Sequence, residues 1–189
     1  IILGGMKVAA VQLTSTGNIT ENQELALAKI REAAGNGARL IVLPEATAQN
    51  FRSGRLDEQA QTLEGPFATA IQALAEELEV TVVAGMFCPA DTVERDGKTI
   101  NRVTNTALIA GPGVLGGYDK IHTYDAFDYR ESDTVLAGES LVAFDVDDLI
   151  VGVATCYDIR FPEQFKELAS QGAQLIVCLL YTSPSPRDS

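Results

Sequence analysis

The stretch LIVGVATCYDIRFPE, at residues 149–163, decides the predicted fold. It opens with a run of apolar residues typical of a buried strand, and Cys156 follows soon after that run. Pro162 then begins a segment whose apolar residues recur at helical spacing. A thiol between the end of a strand and the start of a helix lies where open α/β sheets present catalytic groups. The nearby helix N-terminus is expected to stabilise a thiolate at this position.

Two other segments follow the same plan. The apolar run at residues 40–43 ends just before Glu45, and the segment YDKIH at residues 118–122 places Lys120 after a turn-rich stretch. A carboxylate buried at the end of a strand without a partner holds a proton more readily than one in water, which suits a general base. We therefore expect Glu45, Lys120 and Cys156 to converge at one end of a sheet.

Strands and helices alternate in the first half of the chain, which predicts parallel βαβ units. A capping-box pattern at Thr20 and Gln23 predicts the start of the first helix, and the Gly-Asn-Gly cluster at residues 35–37 predicts its end. Pro66 predicts the start of the second helix. The predicted elements are a strand over 7–13, a helix ending near 34, a strand over 40–43, a helix over 66–78 and a strand over 80–87.

The middle of the chain carries hairpin signals instead. An Asp-Gly pair at residues 96–97 lies between two strand-like runs, and this pair is a strong signal for a tight hairpin turn. An Asp-Asp pair at residues 147–148 separates a second set of such runs, at 141–146 and 149–154. Parallel units mixed with hairpins predict an α/β fold with helices on the faces of its sheets.

Composition limits the class of protein. The 189 residues, 46% of them hydrophobic, suit one domain with a sizeable core. Lysine and arginine number 14 against 26 acidic residues, a net charge of −12, which argues against nucleic acid or an anionic membrane as a partner. The three cysteines, Cys88, Cys156 and Cys178, are odd in number and far apart, which argues against a disulfide scaffold or a zinc site. A reduced, cytoplasmic setting is the expectation.

Two further motifs have simpler interpretations. His122 is the only histidine, and no Gly-x-Ser-x-Gly elbow accompanies it, so a Ser-His-Asp hydrolase is not predicted. Because it lies close to Lys120 in the sequence, His122 is expected to support that loop by hydrogen bonding. The glycines at positions 111, 113 and 116 match a dinucleotide fingerprint, but Gly-Tyr-Asp-Lys follows them instead of a helix. We therefore predict a turn at Pro112-Gly113 and no NAD site.

Taken together, Leu-Pro-Glu at residues 43–45, Tyr-Asp-Lys-Ile-His at 118–122 and Cys-Tyr-Asp-Ile-Arg-Phe-Pro-Glu at 156–163 resemble the nitrilase (carbon-nitrogen hydrolase) superfamily. The resemblance runs from Met6 to Val177. It implies an α-β-β-α sandwich, a homodimer that associates through one helical face, and no metal or organic cofactor. It also implies a hydrolase that acts on a linear carbon-nitrogen bond.

The resemblance implies a role for each residue of the site. Cys156 is the nucleophile, Glu45 is the base that takes its proton and later activates water, and Lys120 stabilises the oxyanion. The backbone N–H of Tyr157 is the second oxyanion donor. Glu131 positions Lys120 and the substrate.

The sequence around these residues is most similar to the omega-amidases and deaminated-glutathione amidases, which favours a small carboxylate-bearing amide as the substrate. Arg160 is a candidate to receive that carboxylate bidentately, and a structural ion pair is the equal alternative. An N-carbamoyl amide hydrolase of the same superfamily is the closest rival function, with an ammonia-donating domain further behind. A non-catalytic binding module that keeps the fold is the alternative from another class.

The last residues are predicted to be foreign to the domain. They match the translation of a transposase-type sequencing adapter, and their Ser-Pro-rich end favours neither helix nor sheet. The hydrolase domain is therefore expected to cover residues 6–177, incomplete at its C-terminus, with 178–189 as a non-native tail. On this expectation the chain itself is inactive or poorly folded, and residues 183–189 are extended and unpacked.

Overall fold

The computed structural model describes residues 2–3, 5–126 and 129–181. The strands in these residues are β1 (Ile2–Leu3), β2 (Met6–Ala10), β3 (Leu40–Val42), β4 (Thr81–Arg95), β5 (Lys98–Gly111), β6 (Val114–Asp119), β7 (Asp125–Ala126), β8 (Tyr129–Arg130), β9 (Ala143–Val146), β10 (Leu149–Thr155) and β11 (Leu175–Leu179). The helices are α1 (Ile19–Gly35), α2 (Pro66–Glu77) and α3 (Pro162–Ser170), and 3₁₀ turns cover Glu131–Asp133 and Cys156–Arg160.

The larger sheet has the strand order β1-β2-β3-β4-β5-β6. Strands β2, β3 and β4 are parallel, with α1 and α2 as the crossovers between them, as the alternating pattern predicts. The long β4 then turns back antiparallel into β5, and β5 into β6. The turn between β4 and β5 is the predicted Asp-Gly hairpin, in which Asp96 and Gly97 have φ angles of 51° and 70°. Both angles are positive, as tight hairpin turns of this kind require.

Helices α1 and α2 cover one face of this sheet. Successive residues of β4 point to opposite faces, so Val82 and Ala84 pack with the helices while Val83 packs on the other side. Ile30 of α1 and Ile71 of α2 are fully buried in the helix-facing core. Burial on both faces explains why these strands are almost continuously apolar. None of the helices in the described part of the chain has the length and apolar character needed to cross a membrane.

The opposite face of the large sheet packs against a second sheet in the order β11-β10-β9. β9 and β10 form the second predicted hairpin, and β11 runs parallel to β10. Val151 and Val153 of β10 are fully buried between the two sheets. Leu168 of α3 packs on the outer side against Gly152. The layers are therefore helix, sheet, sheet and helix, so the α-β-β-α prediction is confirmed.

The predicted start of the first helix is wrong. α1 begins at Ile19, because the side chain of Asn18 accepts hydrogen bonds from the backbone N–H groups of Thr20 (2.9 Å) and Glu21 (3.3 Å). Asparagine caps a helix at least as well as threonine does. Two candidate caps therefore lay close together in the sequence, and the earlier one is used.

Strand β2 is shorter than predicted and ends at Ala10. Its partner β3 ends at Val42, directly opposite Ala10, and one further hydrogen bond joins Val11 N to the carbonyl of Val42 at 2.8 Å. At the other end of the chain, β11 continues to Leu179, past the predicted domain end at Val177. Most of the predicted tail, residues 182–189, lies outside the described residues.

Candidate active site

The loop after β3 carries Glu45 into the interior, where it is 1% exposed. This loop runs close along β4: Gly85 N donates to the carbonyl of Pro44 at 3.1 Å, and the Gly85 carbonyl accepts from Ala48 N at 3.0 Å. A Cβ at Gly85 would lie 2.7 Å from the Cα of Glu45, so only glycine allows this approach. Ala46, the next residue, has a φ of 58°. Close contact with β4 therefore fixes where the Glu45 side chain lies.

Lys120 follows β6 and is 2% exposed. Its backbone N–H donates to the carbonyl of Asn105 at 2.9 Å, and its own carbonyl accepts from Gly138 N at 2.9 Å. Both main-chain groups are thus paired, which anchors the start of a long side chain that otherwise has many rotamers. The backbone therefore directs the ammonium group into the interior.

Cys156 comes directly after β10 and begins a 3₁₀ turn with a φ of 51°. A positive φ is uncommon for a residue other than glycine, and such strain concentrates at functional sites. The turn is held by Asp158, whose carboxylate accepts a hydrogen bond from Thr155 N at 2.8 Å. The Cys156 thiol is half-buried and lies within hydrogen-bonding reach of the Glu45 carboxylate.

The structure brings Glu45, Lys120, Glu131 and Cys156 together in one cluster. Lys120 Nζ lies 3.3 Å from Glu45 Oε1, and 2.9 and 3.1 Å from the two carboxylate oxygens of Glu131. Glu131 is 2% exposed, and its Oε2 also accepts from the backbone N–H of Tyr124 at 2.6 Å. One ammonium group therefore bridges two buried carboxylates beside a thiol.

The charges of this cluster act on the thiol in opposite directions. Burial and the Glu45 carboxylate raise the pKa of Cys156 to about 12, although the Lys120 ammonium group lowers it. The thiol is therefore protonated at neutral pH, and the expectation of a stabilised thiolate is wrong for the site as it stands. The reason is that burial and a neighbouring carboxylate both disfavour a further negative charge.

Lys120 is held in its charged form. Burial by itself lowers the pKa of its amine, but the negative charges of Glu45 and Glu131 outweigh burial and raise that pKa above its usual value. Both carboxylates lie at hydrogen-bonding distance from the amine, where an opposite charge favours the charged form. The ammonium group is therefore a fixed positive charge in the cluster.

A second buried network ties the loop after β6 to the turn after β10. Asp158 is fully buried, and its carboxylate accepts hydrogen bonds from Tyr118 Oη at 2.6 Å and from the backbone N–H of His122 at 3.0 Å. The His122 ring contributes Nδ1 at 2.8 Å and stacks on Phe161, with 3.6 Å between the ring centroids. The prediction that His122 supports its loop by hydrogen bonding is confirmed.

Asn105 on β5 is a functional candidate that the sequence patterns missed. It is 1% exposed, and its side-chain Nδ2 donates to Glu45 Oε1 at 2.8 Å and lies 3.4 Å from Glu131 Oε1. The available signal was a polar side chain within a strand, but threonines at positions 104 and 106 flank it and hide the pattern. The sequence patterns likewise gave Asp158 no role of its own, because it was noted only as a member of the Cys-Tyr-Asp segment.

Tyr157 and Arg160 lie in the 3₁₀ turn that begins at Cys156. The ring of Tyr157 is half-buried and packs edge-on against Tyr124 and Phe161, at centroid distances of 5.1 and 5.4 Å. Arg160 is exposed at the end of its turn and forms no ion pair with any residue in the described ranges. The structural ion pair considered for Arg160 is therefore not formed with that part of the chain.

The cluster offers a defined set of chemical groups. It combines a thiol, a carboxylate within reach of that thiol and a fixed positive charge, which can serve as nucleophile, proton acceptor and oxyanion stabiliser in acyl transfer. No three His, Cys, Asp or Glu side chains in residues 2–3, 5–126 and 129–181 are grouped so that they could hold a metal ion.

Comparison with known sequences finds relatives that are named as hydrolases or amidases. Residues 7–188 match the family described as carbon-nitrogen hydrolase. A Mycobacterium tuberculosis hydrolase is 44% identical over 184 residues, which cover 94% of this chain and 62% of that protein. A deaminated glutathione amidase of Synechocystis is 35% identical over 189 residues, covering 95% of this chain and 68% of the relative. The omega-amidase NIT2 of Danio rerio is 32% identical over 178 residues, covering 90% and 61%. The chain thus spans about three fifths to two thirds of the length of these relatives.

Solved structures share the fold. An amidase of the nitrilase superfamily from Nesterenkonia AN1 aligns with a TM-score of 0.78 at 20% identity, covering 96% of this chain and 67% of that one. A Xanthomonas campestris protein of the CN-hydrolase superfamily aligns with a TM-score of 0.69 at 24% identity, covering 84% and 56%. These two solved structures therefore have the same overall fold as this chain.

Proposed function

The chain belongs to the carbon-nitrogen hydrolase family, and from that premise we propose that it hydrolyses a small linear amide through a thioester on Cys156. The observation that carries the proposal is the buried cluster, in which the Cys156 thiol lies within reach of Glu45 and Lys120 bridges Glu45 and Glu131. Similarity to relatives named as amidases supports the reaction class.

In the first step, Glu45 accepts the proton of the Cys156 thiol while the sulfur attacks the carbonyl carbon of the amide. The pKa of that thiol is raised to about 12, so the proton leaves as the carbon–sulfur bond forms rather than beforehand. The resting thiol is accordingly a weak nucleophile, since the thiolate is the reactive form. Attack therefore depends on a substrate held next to both the thiol and the base.

The attack creates a tetrahedral intermediate with a negatively charged oxygen, which Lys120 and the backbone N–H of Tyr157 stabilise in this proposal. The raised pKa of Lys120 keeps its ammonium group charged throughout the reaction. Glu131 holds that ammonium group at 2.9 Å. The positive charge is thus in place before the oxyanion forms, which is the property that makes such stabilisation effective.

Collapse of the intermediate breaks the carbon–nitrogen bond, and protonated Glu45 gives its proton to the leaving nitrogen, which departs as ammonia or an amine. Water then gives a proton to Glu45 and attacks the thioester carbonyl. When the second intermediate collapses, the carbon–sulfur bond breaks, the sulfur regains its proton from Glu45 and a carboxylic acid is released. Glu45 therefore serves as base and acid in both halves of the reaction.

A carboxylate-bearing amide is the proposed substrate class. The support is the similarity to relatives named deaminated glutathione amidase and omega-amidase NIT2. Arg160 adds a physical argument, because its side chain is exposed at the end of the 3₁₀ turn that begins at Cys156 and pairs with no carboxylate in the described residues. A guanidinium group binds a carboxylate through two parallel hydrogen bonds.

Two amides of matched length test the proposal. Succinamate carries a carboxylate and butyramide does not, so ammonia release from succinamate should show the larger kcat/KM. Arg160→Gln should reduce that preference by about tenfold, while Arg31→Gln, at an exposed position on α1, should leave it unchanged. Ammonia release from neither amide, or undiminished release by Cys156→Ala, would contradict the proposed function. Release by this chain would overturn the expectation that it is inactive by itself.

A further inference from the structure

We infer that Asn105 is a positioning residue of this site, whose side-chain amide donates to both buried carboxylates and fixes Glu45 in the orientation of a base. The inference rests on the proposed function and adds a residue to it. Asn105 acts through Glu45 and Glu131 and needs no contact with the substrate.

The geometry places Asn105 between the two carboxylates. Its Nδ2 lies 2.8 Å from Glu45 Oε1 and 3.4 Å from Glu131 Oε1. Asn105 and Lys120 each hydrogen-bond to both glutamates. The Oδ1 atom of Asn105 is buried without a hydrogen-bond partner among the described residues. The orientation of the amide group is therefore set by the hydrogen bonds from Nδ2 to the two carboxylates.

The charge balance of the cluster explains why an amide is needed there. With the thiol protonated, Glu45 and Glu131 carry two negative charges against the single positive charge of Lys120, and all three are at most 2% exposed. A buried charge with too few hydrogen bonds is costly. A primary amide offers two N–H groups on one nitrogen, one for each carboxylate, and adds no charge. An aspartate would add a third negative charge, and a serine would offer only one donor.

The same contact distinguishes the two oxygens of Glu45. Asn105 and Lys120 both donate to Oε1, at 2.8 and 3.3 Å. Oε2 accepts one hydrogen bond, from the backbone N–H of Tyr181 at 3.2 Å. Oε1 is therefore the oxygen through which the Asn105 amide and Lys120 hold the carboxylate.

Two substitutions separate hydrogen-bond donation from packing. Asn105→Leu keeps a side chain of similar bulk without a donor, and Asn105→Ser loses bulk but keeps one donor. We expect Asn105→Leu to lower kcat for succinamate by about tenfold to a hundredfold with little change in KM, and Asn105→Ser to retain more activity than Asn105→Leu. If Asn105 only fills space, the order is reversed and the inference is overturned.

Alkylation of Cys156 by iodoacetamide gives a readout that needs no turnover. Asn105→Asp adds a negative charge beside Glu45, so it should raise the pKa of the thiol further and slow alkylation severalfold at mildly alkaline pH. The charged groups that already face the thiol are Glu45, Glu131 and Lys120. Asn101→Asp is the matched control, because Asn101 lies on the same strand and is exposed, and the thiol should alkylate at the wild-type rate. Cys88 serves as the internal reference in each protein.

The two readouts keep this inference apart from the proposed function. If the wild type releases ammonia, the order of the Asn105→Ser and Asn105→Leu activities decides the inference. If the wild type releases none from either amide, the proposed function fails, and the alkylation rates then test only the contact of Asn105 with the carboxylates beside the thiol. Slowing in Asn105→Asp but not in Asn101→Asp then supports it, and equal rates in the two variants overturn it.

Discussion

The hydroxyl group of Tyr118 donates a 2.6 Å hydrogen bond to the carboxylate of Asp158, and this contact joins the loop that carries Lys120 to the turn that carries Cys156. Burial and the bond to Asp158 raise the pKa of the Tyr118 phenol, so the hydroxyl remains a donor across the working pH range. The distance between the Lys120 ammonium group and the Cys156 thiol therefore depends on the buried Tyr118–Asp158 pair, which contacts neither group.

Asp158→Ala should lower the free energy of unfolding by about 3 kcal/mol, because it leaves the donors of Tyr118, His122 and Thr155 without their acceptor in a buried place. Urea denaturation measures this change. Asp145→Ala, at an exposed position on β9, is the control and should change stability by less than about 0.5 kcal/mol. Similar losses in the two variants would remove Asp158 as the link between loop and turn.

Cys156→Ala should abolish amide hydrolysis, and Glu45→Gln should block both halves of the reaction. Lys120→Ala should lower kcat by about a hundredfold or more, as removal of an oxyanion partner does. Ammonia release under saturating amide measures all three, with Lys98→Ala on the exposed end of β5 as a charge-matched control. Near-normal turnover in any one of the three site variants would remove the role proposed for that residue.

The thiol should respond to its two charged neighbours in opposite directions. The Glu45 carboxylate raises the pKa of Cys156, so Glu45→Gln should bring it below about 12 and speed alkylation at pH values under 12, even though turnover is lost. Lys120→Met removes a charge that lowers this pKa, so alkylation should become slower. The pH dependence of iodoacetamide labelling at Cys156 measures both. Slower labelling in Glu45→Gln than in the wild type would contradict the described balance of charges.

Gly85→Ala should disturb the loop that carries Glu45. The new Cβ would lie 2.5 Å from the backbone nitrogen of Ala46, and backbone cannot yield as a flexible side chain can, so we expect a loss of about 3 kcal/mol in unfolding free energy and a fall in kcat. Gly116→Ala on β6 is the control, since a Cβ there meets nothing within 4 Å. Thermal unfolding and ammonia release measure the two effects. Equal behaviour of both variants would show that β4 does not constrain the loop.

Local sequence pattern was enough to locate the ends of the strands before Glu45 and Cys156, whereas the stretch before Lys120, predicted to be rich in turns, contains β6 (Val114–Asp119). Each of these residues directly follows an apolar run or a turn, so the signal lies within a few neighbouring positions. Asn105 could not be found in this way. Its partner Glu45 is 60 residues away in the sequence, and only the packing of β4 against β5 brings the two together.

The state of the thiol also required the structure. The sequence shows Cys156 next to a predicted helix start, which favours a thiolate, but burial and a carboxylate from a distant loop reverse that preference. The start of α1 failed for a local reason, because Asn18 and Thr20 are both good caps and a pattern cannot rank them. The sequence patterns therefore missed two influences. One is the competition between two neighbouring helix caps, and the other is the effect on the thiol of a carboxylate that is distant in the sequence.

Cys156 has a left-handed backbone conformation, with a φ of 51°. This conformation limits which side chains can serve as the nucleophile at this position. A branched Cβ clashes with the backbone at positive φ, so valine, isoleucine and threonine are strained there. Serine has the same unbranched shape as cysteine and fits without that strain. A related protein with this fold could therefore replace the cysteine nucleophile by serine through a single substitution. A threonine nucleophile would first require a different backbone conformation in this turn.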